Sequence, residues 1–258
     1  MEPIIFEKKD HIGWLILNRP KQFNALSLEL MNKMQKQLDN VAEDLDVNVI
    51  VIKANGPAFC VGHDITELSG KNYDINHFRK IFTNCSKLML TLHKLPQPVI
   101  AQVHGIAMAA GCQLVASCDL AIAGNNAKFS TPGVNIGLFC STPMVPLSRI
   151  IGKRRALDML LTGRFITAEE AEKFGLVNKV VHTDKLAKET KNWATELSKF
   201  SRYTLETGKK AFYHQIDKDE ESAYNYAKET IAKNCLSEDA QEGMQAFLER
   251  RKPKWKNR

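Results

Sequence analysis

The sequence predicts an α/β fold that ends in an all-helical segment. Two β-branched runs, VNVIVIKA at 47–54 and PVIAQVHG at 98–105, have the composition of strands buried in a parallel sheet. Between them lies a stretch with helical periodicity, as a β-α-β connection requires. From Asp184 onward the chain reads almost wholly helical.

Taken in order, residues 3–8 and 11–17 (within IIFEKKDHIGWLIL) form two short extended pieces around a turn. Pro20, in NRPKQFN, then breaks the pattern, because it lacks a backbone donor and restricts its predecessor. Ser27 is placed to cap a helix to about Ala42, with Leu30, Met31, Met34, Leu38 and Val41 along one face. NGPAFCVGHDITELSG reads as a loop, the polar stretch near 69–76 as mobile, and 77–93 as a helix. After the second strand comes AMAAGCQLVASCD at 107–119. Its small residues Ala107, Ala109, Ala110 and Gly111 let a helix start very close to a ligand or another backbone.

DLAIAG is strand-like, FSTPG and NIGLF are loop-like, and 143–160 is helical with an interruption at Gly152. Thr167 and Glu170 form a capping box that starts the next helix, and Gly175 stops it. A short strand covers 177–181. Breaks near 199–201, 215–217 and 235–237 divide the helical end, which is expected to dock on its own core or on another protomer.

A chain of 258 residues can bury a large core without disulfides or metal clips, as one domain or as a domain with a helical appendage. Lys and Arg number 36 against 29 Asp and Glu, a formal charge of +7 that suits a phosphorylated ligand but does not by itself identify one. Much of the excess lies in RRKPKWKNR at 250–258. This run is either a solvated terminus or a contact for a cofactor phosphate or a neighbouring subunit. Six cysteines without a CxxC pair, behind an acidic and strand-like start, fit reduced thiols in the cytoplasm. No apolar run reaches the length of a membrane span.

Two loop-to-helix junctions carry the chemical interest: CVGHD at 60–64 and AAGCQ at 109–113. Free N–H groups at a helix start can converge on an anion, or on a carbonyl oxygen that is gaining negative charge. Each segment alone is equally compatible with an ordinary tight turn. The seven histidines are dispersed without HxxxH or HExxH spacing, so no metal site is expected. GxxxxGK[ST] and GxGxxG are missing, and so is any nucleic-acid-binding module.

Several segments together resemble the enoyl-CoA hydratase/isomerase (crotonase) family: LNRPKQFNAL at 17–26, AFCVGHDI at 58–65, VHGIAMAAGCQLVASCDLAIAG at 103–124, IGKRRALDMLLTGRFITAEEAEKFGLVNKVV at 151–181 and EGMQAFLERRKP at 242–253. The likeness runs from 4 to about 251. It implies a crotonase-like spiral of ββα units over 1–198 that holds an acyl-CoA pocket. It also implies a C-terminal helical region over 199–258 for oligomerisation or as a lid, and a homotrimer or dimer of trimers. The implied chemistry is lyase or isomerase chemistry of fatty acid metabolism. The cofactor is coenzyme A as part of the thioester substrate, with no prosthetic group, no metal and no nucleic acid.

In the resemblance, the backbone amides of His63 and Ala110 form the oxyanion hole. The two hydratase glutamates fall on Gln113 and Gly133, and an aspartate found in some relatives falls on Ser141. Hydration needs one group to activate water and another to supply the α-proton. Gln113 can orient water but cannot take its proton, and Gly133 can do neither. Two-glutamate hydration is therefore not supported. His63, Cys140 and Ser141 are the groups that could replace the acids, in thioester hydrolysis, decarboxylation or isomerisation. A non-catalytic acyl-CoA-binding or assembly protein is the remaining alternative. The resemblance assigns the cofactor to Arg19, Lys21, Ala25, Cys60, Gly62, Asp64, Ile65 and Arg250, with Phe23, Phe59 and Phe139 as apolar walls.

Overall fold

The computed structural model describes residues 2–70 and 74–258. The stretch expected to be mobile near 69–76 falls in part on 71–73, outside the described residues. Strands β1 (Ile4–Lys9) and β2 (Ile12–Leu17) form an antiparallel hairpin, followed by α1 (Leu28–Ala42), β3 (Val49–Ala54), α2 (Ile75–Lys94) and β4 (Val99–Val103). Then come β5 (Ile106–Met108), α3 (Ala110–Ala116), β6 (Leu120–Gly124) and β7 (Lys128–Ser130). Helices α4 (Met144–Ile150) and α5 (Lys153–Thr162), strand β8 (Ile166–Thr167), helix α6 (Ala168–Phe174) and strand β9 (Lys179–Val181) complete the mixed part. Helices α7 (Leu186–Ser198), α8 (Arg202–Gln215), α9 (Glu220–Cys235) and α10 (Glu238–Leu248) follow.

The larger sheet runs β1-β2-β3-β4-β6-β9 and is parallel from β2 onward. A smaller sheet, β5-β7-β8, lies beside it. The chain therefore passes from one sheet to the other and back through a helix, turn after turn. Strand alternation divides the core. Ile50 and Ile52 point into the main cluster with α1, α2 and α3, whereas Val49 and Val51 point to the opposite face, which α7 covers with Leu186 and Ala194.

Local signals place most helix ends. The Ser27 side chain accepts from the Leu30 amide, and the Thr167–Glu170 capping box is formed in both directions. Strands β5, β7 and β8 were not expected, and FSTPG, read as a loop, begins with the last two residues of β7. Elements of two or three residues have no usable period, and pairing with a neighbour alone makes them extended. Ile65–Glu67 is a single 3-10 turn rather than the start of a longer helix.

The helical end docks on its own core through α8. Lys209 lies 2.6 Å from Asp119 and donates to the Leu92 and Gln97 carbonyls at 2.7 and 2.9 Å. Tyr213 donates to the other Asp119 oxygen at 2.8 Å, and His93 stacks on Tyr213 at 4.1 Å. Arg202 donates to the Ala42 and Asp44 carbonyls.

The basic tail folds back on α10 while most of its residues stay exposed to solvent. Buried Asp239 accepts the Lys256 and Asn257 amides, Arg251 pairs with Glu242 and Glu249, and Lys256 and Arg258 pair with Glu238. The acids of α10 thus neutralise much of the charge that the sequence offered to a ligand. Among the described residues, Arg250, Lys252 and Lys254 make no ion pair. No helix of the described residues is long and apolar enough to cross a membrane.

Removing Lys209 would leave Asp119 inside without its counter-charge. Lys209→Met is expected to lower the unfolding free energy by about 3–5 kcal/mol, read from urea denaturation.

Candidate active site

The site begins where the loop after β3 meets the start of α3. Cys60 pairs with β5: its amide donates to the Ile106 carbonyl at 3.1 Å, and its carbonyl accepts the Met108 amide at 3.0 Å. Two residues on, the Leu26 amide donates to the Gly62 carbonyl at 2.7 Å and the Asp64 amide to the Leu26 carbonyl at 3.1 Å. In such a parallel bridge the residue between, His63, turns its own amide to the opposite edge, away from Leu26.

That edge faces α3. A Cβ on Gly62, whose φ is +99°, would lie 2.8 Å from the Ala109 Cβ and 3.4 Å from the Ala110 amide nitrogen. A Cβ on Gly111 would lie 2.0 Å from the Cys60 carbonyl oxygen. Both positions therefore require glycine. Ala109 has φ 50° and ψ −120°, a conformation costing a residue with a Cβ on the order of 1–3 kcal/mol. Its amide is tied to the Ser130 carbonyl at 2.9 Å. This bend aims the first turn of α3, whose amides have no acceptor within the helix, at the His63 segment.

Side chains close a circuit around that point. The His63 ring meets Phe82 of α2 edge-on, with centroids 5.3 Å apart. Cys85 lies one turn along α2, and its Sγ makes a long contact of 3.9 Å to Oε1 of Gln113. Gln113 lies one turn along α3 from Ala110, on the same face. Both His63 ring nitrogens are buried without a hydrogen-bond partner. Burial lowers the His63 pKa, opposed only in part by the Leu26 backbone, so the ring is neutral at neutral pH.

The remaining sequence candidates divide into three groups. Gly133 sits in a 3-10 turn, and a Cβ there would lie 2.4 Å from the Leu138 carbonyl oxygen and 2.9 Å from Cys140 Sγ. Cys140 is buried, and burial pushes its pKa up, so it stays a thiol. The exposed Ser141 hydroxyl donates to the Phe139 carbonyl. Neither is hydrogen-bonded to His63, so the structure holds no nucleophile–base pair at this point.

Arg19, Ala25, Gly62 and Asp64 form one linked group. Arg19 donates to Asp64 at 3.0 Å and to the Ala25 carbonyl at 2.7 Å. Burial raises the Asp64 pKa, but hydrogen bonds from Thr66 and Arg19 outweigh it and hold the carboxyl below its usual range. Lys21 and Ile65 are exposed beside this group. Arg250 is exposed after α10. Cys60 is fully buried, with its pKa pushed up to about 12. Among the described residues no group of His, Cys, Asp and Glu side chains could hold a metal ion. Sequence reasoning missed Phe82 and Cys85, whose helical spacing marks them as core, and the strain at Ala109.

The Enoyl-CoA hydratase/isomerase family matches residues 7–258. The chain is 43% identical to mouse (Mus musculus) enoyl-CoA hydratase domain-containing protein 3, mitochondrial, over 96% of this chain and 82% of that one. The Xenopus laevis protein of the same name is also 43% identical, over 98% and 86%. Among solved structures, an enoyl-CoA hydratase of Mycobacterium smegmatis superposes with a TM-score of 0.96 at 43% identity, covering 99% of each chain. Human enoyl Coenzyme A hydratase domain-containing protein 3 gives 0.96 at 43%, covering 98% of this chain and 100% of that one.

These relatives correct one expectation. The cytoplasmic location inferred from reduced cysteines does not stand, because the vertebrate relatives at 42–43% identity are named as mitochondrial. Reduced thiols are not peculiar to one intracellular compartment. The alternating ββα path, the helical end and the paired loop–helix junction, matched over nearly the whole chain, make this protein a member of the enoyl-CoA hydratase/isomerase (crotonase) family.

Proposed function

We propose that the protein binds acyl-CoA thioesters and uses the His63 and Ala110 amides to stabilise a thioester enolate, without two-carboxylate hydration. The observation that carries this reading is the approach of Gly62 to the Ala110 nitrogen, beside a His63 amide that is turned away from Leu26. Two fixed N–H donors in a buried site stabilise developing negative charge without reorganising when it forms. Coenzyme A would lie along the group of Arg19, Lys21, Ala25, Cys60, Gly62, Asp64 and Ile65, with Arg250 as a further phosphate contact. Assembly as a homotrimer or dimer of trimers is supported by exposed apolar residues on the helical end, Ile231, Leu236 and Phe247 among them.

The absence of two acids is a matter of space as well as identity. Gln113 has no proton-accepting carboxylate. The site of the second glutamate is filled by the Leu138 carbonyl and Cys140. Cys140 and Ser141 are committed to neighbouring backbone or burial, so nothing favours an attacking nucleophile. The free ring nitrogens of neutral His63 favour a second reading, in which this imidazole moves a proton at the carbon next to the thioester.

A mass-resolved panel of enoyl-, hydroxyacyl-, malonyl- and saturated acyl-CoAs tests the proposal. The expected result is thioester binding with hydrated product scarce or missing, whatever else is consumed. Ala110→Pro, which the first helical position accepts but which deletes the N–H, should cut any turnover about 10²–10³-fold with helix content unchanged. Rapid hydration of crotonyl-CoA by the unaltered protein would defeat the reading.

If His63 moves the proton, the neutral ring is the active form. Because its pKa is lowered, the rate should hold as pH falls through 6.5 and drop only below that, and His63→Phe should erase this acid limb in a pH–rate profile. Installing both acids as Gln113→Glu with Gly133→Glu should yield no efficient hydratase. Gly133→Glu should also reduce stability by at least about 1–3 kcal/mol, measured by thermal unfolding, because the Leu138 backbone must shift.

A further inference from the structure

We infer that Gln113 determines specificity by presenting its amide N–H2 group to the β-position of the bound acyl chain, so that the site selects thioesters with an oxygen on the β-carbon. The inference rests on the proposed thioester site and adds the class of acyl group it takes. Its starting point is the contact between Cys85 and Gln113, in which the thiol faces Oε1 at 3.9 Å. Both residues are buried, Gln113 with 3% of its surface exposed. Burial pushes the Cys85 pKa up to about 12, so the sulfur keeps its proton and acts as the donor. The acceptor end of the amide is thereby turned to the wall formed by α2.

The donor end is left over. Among the described residues Cys85 is the one hydrogen-bond partner of the Gln113 side chain, so its nitrogen donates to none of them. Ala110 lies three residues earlier on the same helix face, which puts the two Cβ atoms roughly 5–6 Å apart. An acyl group whose carbonyl oxygen sits at the Ala110 amide therefore has its next carbons beside Gln113. The walls offer little competition. Phe82 is apolar, and the Gly133 turn is closed on itself by the Leu138 carbonyl and the Cys140 thiol.

A carboxylate at this position would accept hydrogen bonds and hold water against an unsaturated chain. An amide with its carbonyl occupied does the reverse. It is complementary to a β-carbonyl, β-hydroxyl or β-carboxylate oxygen and is left unpaired beside a plain hydrocarbon. Sites that hydrogen-bond a ligand oxygen discriminate well against analogues that lack it, because the buried donor then loses its partner.

The test is calorimetric binding of two uncleavable carba-analogues, in which methylene replaces sulfur: one of acetoacetyl-CoA and one of butyryl-CoA. The unaltered protein should bind the 3-oxo ligand about tenfold more tightly, the scale of one good hydrogen bond. Gln113→Leu should bring the ratio to about one. Cys85→Val, which frees the amide carbonyl, should lower it, whereas Cys85→Ser, which keeps a donor, should preserve it. If Gln113→Leu does not fold, Gln113→Glu reads the same ratio and should abolish or invert the preference. Equal binding of the two ligands by the unaltered protein, or a preference that survives loss of the Gln113 amide, overturns the inference while leaving the thioester site intact. Failure to bind either ligand overturns both.

Discussion

The site depends on a place where two backbones touch with no side chain between them. Gly111 lets α3 start against the Cys60 carbonyl, and Gly62 lets the loop after β3 lie against the Ala109–Ala110 peptide. A methyl group at Gly111 would have to occupy the space of a carbonyl oxygen, which no small adjustment relieves. Everything nearby follows from that approach. Cys60 is fixed by pairing with β5, Leu26 clasps both sides of His63, and the His63 amide is left with one direction in which to point. The strained Ala109 persists because the Ser130 carbonyl on one side and α3 on the other over-determine it.

The electrostatic character of the pocket comes from the same closeness. Burial keeps Cys60, Cys85 and Cys112 as thiols, each with its pKa pushed up to about 12, and keeps His63 neutral. Asp64 is spoken for by Arg19 and Thr66. What remains around the point of convergence is a set of uncharged donors in a medium of low polarity. Hydrogen bonds are electrostatically stronger there than in water, and an unmade one costs more. Such surroundings suit the proposed chemistry, in which a neutral thioester becomes negative during reaction. They are a poor environment for a pair of carboxylates.

Much of the fold was legible in the sequence because its signals are local. Ser27 and Thr167 begin helices by hydrogen bonds within one turn, and β3 and β4 are apolar runs too continuous for anything but a covered parallel sheet. Strands β5, β7 and β8 escaped because two or three residues have no period, and partners far along the chain make them extended. The amide-bearing segments stood out through resemblance and their small residues. Phe82 and Cys85 did not, since a residue facing a pocket and one facing the core share the same helical spacing. The ion pairs of the tail were hidden for a related reason: its cations were visible, but their meeting with the α10 carboxylates is a tertiary fact.

On the proposed reading, Gln113 and Gly133 act together rather than as two unrelated substitutions. At Gly133 the Leu138 carbonyl and Cys140 stand where a Cβ would be, so a side chain there has no room unless the backbone shifts. A carboxyl at 113, as buried as Gln113 is, would be driven toward its protonated form. An amide avoids that cost, and Cys85, protonated by its own burial, supplies the partner that sets which end of the amide looks inward. On the proposed reading, the two backbones still meet at the thioester oxygen, while an amide donor stands where a carboxylate acceptor would otherwise meet the acyl chain.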